Sequence, residues 1–513
     1  MTAAAPDGVP PGPVEQRHVA RSAAVTGLAQ IAMLGIGAVL SIVILLVFGK
    51  NSRTDGLLAA YGVYSIVVLF AQSFRTTAVA RLVEGERPFE TYDRFLGGVL
   101  VIILGSGVVL VVLGSQLATL LTGDLGDAAH DTARFTLALL WPAAGAQLVS
   151  ALSAAQLGVR GEFALPGAAF VGGGLTQVAL TLALSGPLGH DAVAVAIAAG
   201  SLLTCALLLG RMAVLGYRPH PRDVRPRLTT LRTLVQMLGG ATAHLAVQLT
   251  YLVSLAFAAR IGPGGVTLYS YAFLANAAIV GATSGSIALV LAAPIAGSWD
   301  RRPRSLDAHM QIVARAVLMV MVPLLGVIAL AGTPVIELVL GSSLSHSDAV
   351  TIVGIVLALA GAMLASAVEP VPMLAAFATS RYSRVALLSL TLVVTQVAIA
   401  SVALELDSLV GLGVATSIAT LTYVTLLLQL IYGRELLTPI KLVLRELLSL
   451  LLPCAVLFVP AGFAAAALGG DGWAVAAAVA ASLLYLLFLR LLRPEHWALL
   501  LRVLPIPTAG GTT

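Results

Sequence analysis

The chain has 513 residues, 59% of them hydrophobic and only 10% charged, with a formal net charge of +5 and a mean hydropathy of +0.99. A soluble globular domain is about 25% charged, so this composition excludes one. Apolar runs longer than ~20 residues also exclude the short alternating strands of a membrane barrel. What remains is an all-α membrane protein with many spans, whose positive charge reads as basic loops rather than a nucleic-acid surface.

In chain order, residues 1–21 are rich in Pro and Gly and are expected to be a disordered cytoplasmic N-terminus. The apolar run behind them is too long for a cleavable signal peptide. About fourteen spans are predicted: 22–48, 56–83, 95–122, 134–157, 166–186, 191–215, 232–259, 266–297, 310–332, 349–377, 385–404, 409–432, 447–468 and 473–492. With the N-terminus in the cytoplasm, most of the 29 Lys and Arg sort to the inner face. Only Lys50, Arg53, Arg134 and Arg260 fall outside, and Arg75 lies within the membrane. This bias sets the orientation, with both termini inside at the plasma membrane. The outer turns are acidic, at Asp124, Asp127, Asp131, Asp348 and Glu405 among others.

The most basic loop, from Tyr217 to Arg227, follows the sixth span. It suggests two halves, and a weak repeat joins them. Thr176-Gln177-Val178-Ala179 recurs as Thr395-Gln396-Val397-Ala398, and the Gly49 turn has its echo at Gly262. Six spans per half make the repeat parallel. The expected organisation is a six-helix bundle over 22–215, a basic cytoplasmic linker over 216–231 and a second six-helix bundle over 232–432. A cytoplasmic loop at 433–446, two added helices within 447–492 and a cytoplasmic tail at 493–513 complete it.

Chemistry-bearing residues lie inside spans. Tyr61, Tyr64, Gln72 and Arg75 recur on one face of the second helix. His244, Gln248 and Tyr251 share a face of the seventh, with Gln30 near the place of His244 in the repeat, and Tyr269 and Asn276 share a face of the eighth. Such stripes line a solvated pathway between two bundles, or else make interhelical hydrogen bonds. An arginine at the depth of Arg75 costs roughly 2.5–3.5 kcal/mol to insert at the bilayer centre, so it needs water, an anion or a snorkelling path. Glu369-Pro370-Val371-Pro372 interrupts the tenth span. Its two prolines remove backbone donors, which points to a hinge with Glu369 as a coupling carboxylate or a partner of Arg75 or His244, or else to a helix that starts later and leaves Glu369 in water. Cys205 and Cys454 lie in apolar segments and read as free thiols. No nucleotide loop, metal spacing or nucleophile motif occurs, so neither an enzyme nor a cofactor is expected.

Four stretches carry a family likeness. They are Phe48-Gly49 through Thr54-Asp55, Arg160-Gly161-Glu162-Phe163-Ala164-Leu165-Pro166, Gly265-Val266-Thr267-Leu268-Tyr269-Ser270-Tyr271, and Leu409 through Ser417. With six plus six plus two helices, the chain resembles the MOP superfamily of exporters, and MurJ-type lipid II flippases and polysaccharide flippases in particular. The Arg-Asp pair of those flippases falls at Leu40-Ser41 here, and their cationic cluster in the second helix falls at Tyr64 to Leu69. The resemblance implies export of a lipid-linked glycan by alternating access. Substrate would be held by the stripes, the lipid tail by the last two helices, and cell-wall enzymes would be partners. An ion-coupled exporter of drugs or metabolites using Glu369, and a non-transporting scaffold of the same fold, are the alternatives.

Overall fold

The computed structural model describes residues 32–33, 35–83, 89–162, 164–220, 224, 228–281, 283, 306–379 and 381–497, with only the backbone for most of 69–83 and 228–244. The expected spans 22–48 and 266–297 lie partly outside the described residues. The elements in chain order are α1 (Gly35–Phe48), α2 (Ser52–Val83), α3 (Glu90–Thr122), α4 (Asp127–Val159), α5 (Ala164–Leu188), α6 (Asp191–Val214), α7 (Leu228–Ile261) and α8 (Gly265–Val280). They continue with α9 (Asp307–Leu340), α10 (His346–Ala358), α11 (Ala360–Val368), α12 (Pro370–Ala378), α13 (Tyr382–Glu405), α14 (Leu409–Tyr432), α15 (Leu437–Leu468) and α16 (Asp471–Leu492). No strand occurs among the described residues. Ten helical stretches among them are long and apolar enough to cross a membrane, with α10 and α11 counted as one. The fold is that of an all-α membrane protein.

The composition explains the surface. On α3, Leu104, Val108, Val111 and Val112 are 64–87% exposed. A continuous apolar stripe of this kind is stable only against lipid.

The chain forms two compact units. One comprises 1–47, 67–114 and 135–238. Its core joins Tyr92 and Phe95 of α3, Leu148 and Leu152 of α4, and Leu208 and Met212 of α6. Tyr92 and Ser153 share a hydrogen bond of 2.9 Å between their hydroxyls. Tyr217, in the basic linker, donates to Asp93 Oδ1 at 2.6 Å. Burial and that carboxylate push its phenol well above the ordinary range. The start of the linker is therefore tied down at Tyr217 and His220, not merely charged. In the same unit α5 packs on α6 through small residues, because a Cβ at Gly173 would lie 2.7 Å from Gly200 O.

The other unit comprises 48–66, 115–134 and 239–513. It takes in the turn between α1 and α2, which is built by local chemistry. Gly49 sits at φ +68°, a left-handed conformation that ends α1. Asn51 then caps α2, its Oδ1 accepting from Thr54 N at 3.0 Å and its Nδ2 donating to Phe48 O at 2.8 Å. Ser345 caps α10 in a reciprocal box with Asp348.

The tenth expected span is not one helix. It breaks at Leu359 and again at Glu369, where Pro370 and Pro372 open α12. Proline suits a first helical turn, where its missing N–H needs no partner. At the earlier break a foreign side chain enters the backbone ladder. Ser417 Oγ of α14 donates to Ala358 O at 2.5 Å and accepts from Ala362 N at 3.1 Å.

Candidate functional site

The turn that opens α2 reaches into the unit's second-half helices. Asp55 is fully buried. Its Oδ1 accepts from Thr267 N at 2.9 Å and from the Thr267 hydroxyl, and its Oδ2 accepts from Gly264 N. Gly264 precedes α8 at φ +86°. A carboxylate at this place satisfies first-turn N–H groups and meets the positive end of the α8 dipole. The Lys50 ammonium pairs with Asp348 Oδ1 at 2.5 Å, 298 residues away. Its methylenes lie across Gly264, where a Cβ would stand 2.6 Å from Lys50 Cδ. Gly56 packs on Ala129 so closely that a Cβ would be 2.2 Å from Ala129 O. One short stretch thus holds α4, α8 and α10 at once.

One turn further along α2, the expected polar residues gather. Tyr61 and Tyr64 lie with ring centroids 5.8 Å apart. Ser65 Oγ donates to Gln248 Oε1 at 3.2 Å. Gly62 faces Leu252, Leu255 and Tyr251 of α7. Tyr251 donates to Ser270 Oγ at 3.1 Å and stacks on Phe273 at 4.3 Å. Tyr269 shares a 2.8 Å hydrogen bond with Thr416 of α14. The structure thus brings Tyr61, Tyr64, Gln248, Tyr251 and Tyr269 into one packed seam between α2, α7 and α8. It places Tyr251 and Tyr269 in hydrogen-bonded interhelical packing, not on an open face.

Asn276 lies further along α8, buried, with an Oδ1 that has no hydrogen-bond partner among the described residues. Gln30 lies outside the described residues, as do the side chains of Gln72, Arg75 and His244. Glu369, Pro370 and Pro372 stand at the joint between α11 and α12. Glu369 is half-buried there and has no ion-pair or side-chain hydrogen-bond partner among the described residues.

Sequence reading missed Asp55, the Lys50–Asp348 pair and Ser417. Asp55 carried two signals, its place in a family-like stretch and an acidic residue in the first turn of a helix. Nothing in the chain marks a partner more than 200 residues away. Chemically, the seam offers hydroxyls, an amide and stacked rings. Among the described residues no group of His, Cys, Asp and Glu is placed to hold a metal ion.

A family model described as lipid II flippase MurJ matches residues 79–494. A search of curated protein sequences returns no match. Among solved structures, the lipid II flippase MurJ in an inward closed conformation is similar at TM-score 0.75 and 16% identity, covering 92% of this chain and 99% of that one. An inward-facing multidrug resistance MATE family transporter of the MOP superfamily is similar at TM-score 0.64 and 14% identity, covering 81% and 95%. A MOP superfamily transporter from Pyrococcus furiosus is similar at TM-score 0.56 and 13% identity, covering 82% and 96%. At these identities the structural likenesses establish the fold.

Proposed function

The chain belongs to the MurJ lipid II flippase family, and we propose that it moves a lipid-linked, polyprenyl-phosphate cell-wall or polysaccharide intermediate across the plasma membrane by alternating access. The observation that carries this reading is the family match over residues 79–494. The contacts of the α1–α2 turn support the mechanism. Asp55 on α8 and Lys50 on Asp348 close one end, the outer one by the arginine distribution, and they must part for substrate to leave.

Arg75, Gln72 and His244 are proposed to meet the anionic head group. An arginine inside a span finds its counter-charge in a diphosphate. The Ser65–Gln248 bond and the Tyr251–Tyr269 seam would form the floor beneath the closed end. Enzymes that build the lipid-linked glycan are its natural partners. The test is a depletion strain complemented with Gln72→Ala, Arg75→Ala and His244→Ala together. The triple variant is expected to expose no carrier-linked glycan on the outer leaflet and to accumulate it inside. Full export by that variant removes these residues from the site.

A second reading is favoured by one observation. Glu369 sits unpaired, among the described residues, at a helix break. A carboxylate there suits a coupling ion. If the exporter is proton-coupled through it, Glu369→Gln abolishes the pH dependence of transport in proteoliposomes while the protein still folds.

A further inference from the structure

Apart from the seam, one cavity of about 420 Å³ lies where α9, α15 and the end of α16 meet. It is lined by Arg315, Arg445, Glu446, Arg493, Glu495 and His496, together with Ser449, Leu492 and Pro494. Three arginines face two carboxylates, so the lining is net cationic while His496 is neutral. Glu446, 5% exposed, is already neutralised. Gln311 donates to its Oε1 at 2.9 Å, and Arg315 donates to both oxygens at 3.0 and 3.3 Å.

Arg445 is 71% exposed and only 3.8 Å from Glu446 Oε1, and Arg493 is exposed. Both have donors to spare. Glu495 bonds Arg315 through one oxygen at 3.2 Å and is 78% exposed, so an incoming anion can displace it. His496 is 3% exposed, and its Nδ1 has no hydrogen-bond partner among the described residues. A buried polar atom left without a partner destabilises the fold, and a ligand would relieve that cost.

The rim continues into lipid-facing surface. Leu492 is 68% exposed, Leu491 67%, Leu452 63% and Leu448 45%. A cationic cup beside an exposed apolar helix pair, at the end assigned by its arginines to the inner leaflet, matches an anionic head with acyl chains attached. Basic pockets between membrane helices on the cytoplasmic side hold anionic lipid heads in this way.

We propose that this cavity binds the phosphate of an anionic phospholipid of the inner leaflet. Arg445 and Arg493 fork the phosphate oxygens, Arg315 completes the charge, and the acyl chains lie along α15 and α16. The lipid would brace α15 and α16, the two helices to which the resemblance assigns the substrate's tail, against α9.

The test is native mass spectrometry of the full-length protein in detergent, titrated with phosphatidylglycerol, phosphatidylcholine or inorganic phosphate. Phosphatidylglycerol is expected to bind about tenfold more tightly than phosphatidylcholine. Arg445→Gln with Arg493→Gln, both exposed and so compatible with folding, is expected to erase that preference at an unchanged melting temperature. Equal binding of the two lipids overturns the proposal, as does a preference that survives in the double variant. Inorganic phosphate bound as tightly as the lipid overturns the lipid assignment. Binding seen only after removal of residues 498–513 also overturns it, since the chain's own tail is then the occupant.

Discussion

The Asp55 carboxylate accepts from the Gly264 and Thr267 backbone N–H groups and from the Thr267 hydroxyl, all buried. Asp55→Ala strands both N–H groups at the start of α8, at about 1–3 kcal/mol per unmade bond. Its thermal unfolding midpoint in detergent is expected to fall clearly below that of the wild type. Asp55→Asn, which keeps one acceptor, is expected to fall between the two. A loop pair gives a pH-dependent counterpart. Glu162, between α4 and α5, accepts two bonds from Arg211 of α6. Those bonds hold its carboxyl below the usual carboxylate range. A depressed folded pKa stabilises above the unfolded value of about 4.3 and is lost as pH falls through the folded one. The melting difference between wild type and Glu162→Gln is therefore expected to be small at pH 7, since the pair is partly exposed, and to vanish as the pH falls below the depressed folded value. Glu162 was visible in the sequence as part of a family-like stretch. Its partner was not, because Arg211 is 49 residues on and reads simply as an inner-face arginine.

Among the elements, the two breaks between α10 and α12 differ in how far the sequence reveals them. The break at Glu369 is written in Pro370 and Pro372, which remove backbone donors whatever the surroundings. The break at Leu359 has no proline to announce it. It depends on Ser417, whose hydroxyl stands between Ala358 O and Ala362 N in place of their direct bond. Periodicity reads one helix at a time and cannot see a residue supplied by another. Ser417→Ala is expected to lower the unfolding midpoint, since Ala362 N is buried and Ala358 O part-buried beside α14. The cost is about 1–3 kcal/mol if they stay apart. An unchanged midpoint would mean that α10 and α11 join into one continuous ladder. Interhelical hydrogen bonds in membranes average near 0.6 kcal/mol, and a value above that marks an inserted hydroxyl as more than a surface contact.

At the scale of the whole molecule, composition and arginine placement settle that the chain is a helical membrane protein and suggest which loops share a side. They do not say which turn meets which. The turn from Phe48 to Asp55 stood out in the sequence as a polar break between two apolar runs, as the echo of the Gly262 turn and as a family-like stretch, none of which names its contacts. In the fold it belongs to the same compact unit as α8 and α10. If export proceeds by alternating access, the Lys50–Asp348 pair is part of what holds that end shut. Reversing one charge sets two carboxylates against each other beside Asp55, which favours opening, and reversing both restores attraction. A cysteine at Ser270, fully buried beneath the turn, reports the state in a background without Cys205 and Cys454. Lys50→Glu is expected to raise its labelling by a membrane-impermeant thiol reagent about tenfold, the effect of a population shift near 1.4 kcal/mol. Adding Asp348→Lys is expected to return labelling toward the starting rate. Equal labelling in all three proteins would show that Asp55 and the packing of Gly56 hold the end closed without the ion pair. Opening would then have to begin at α8 itself.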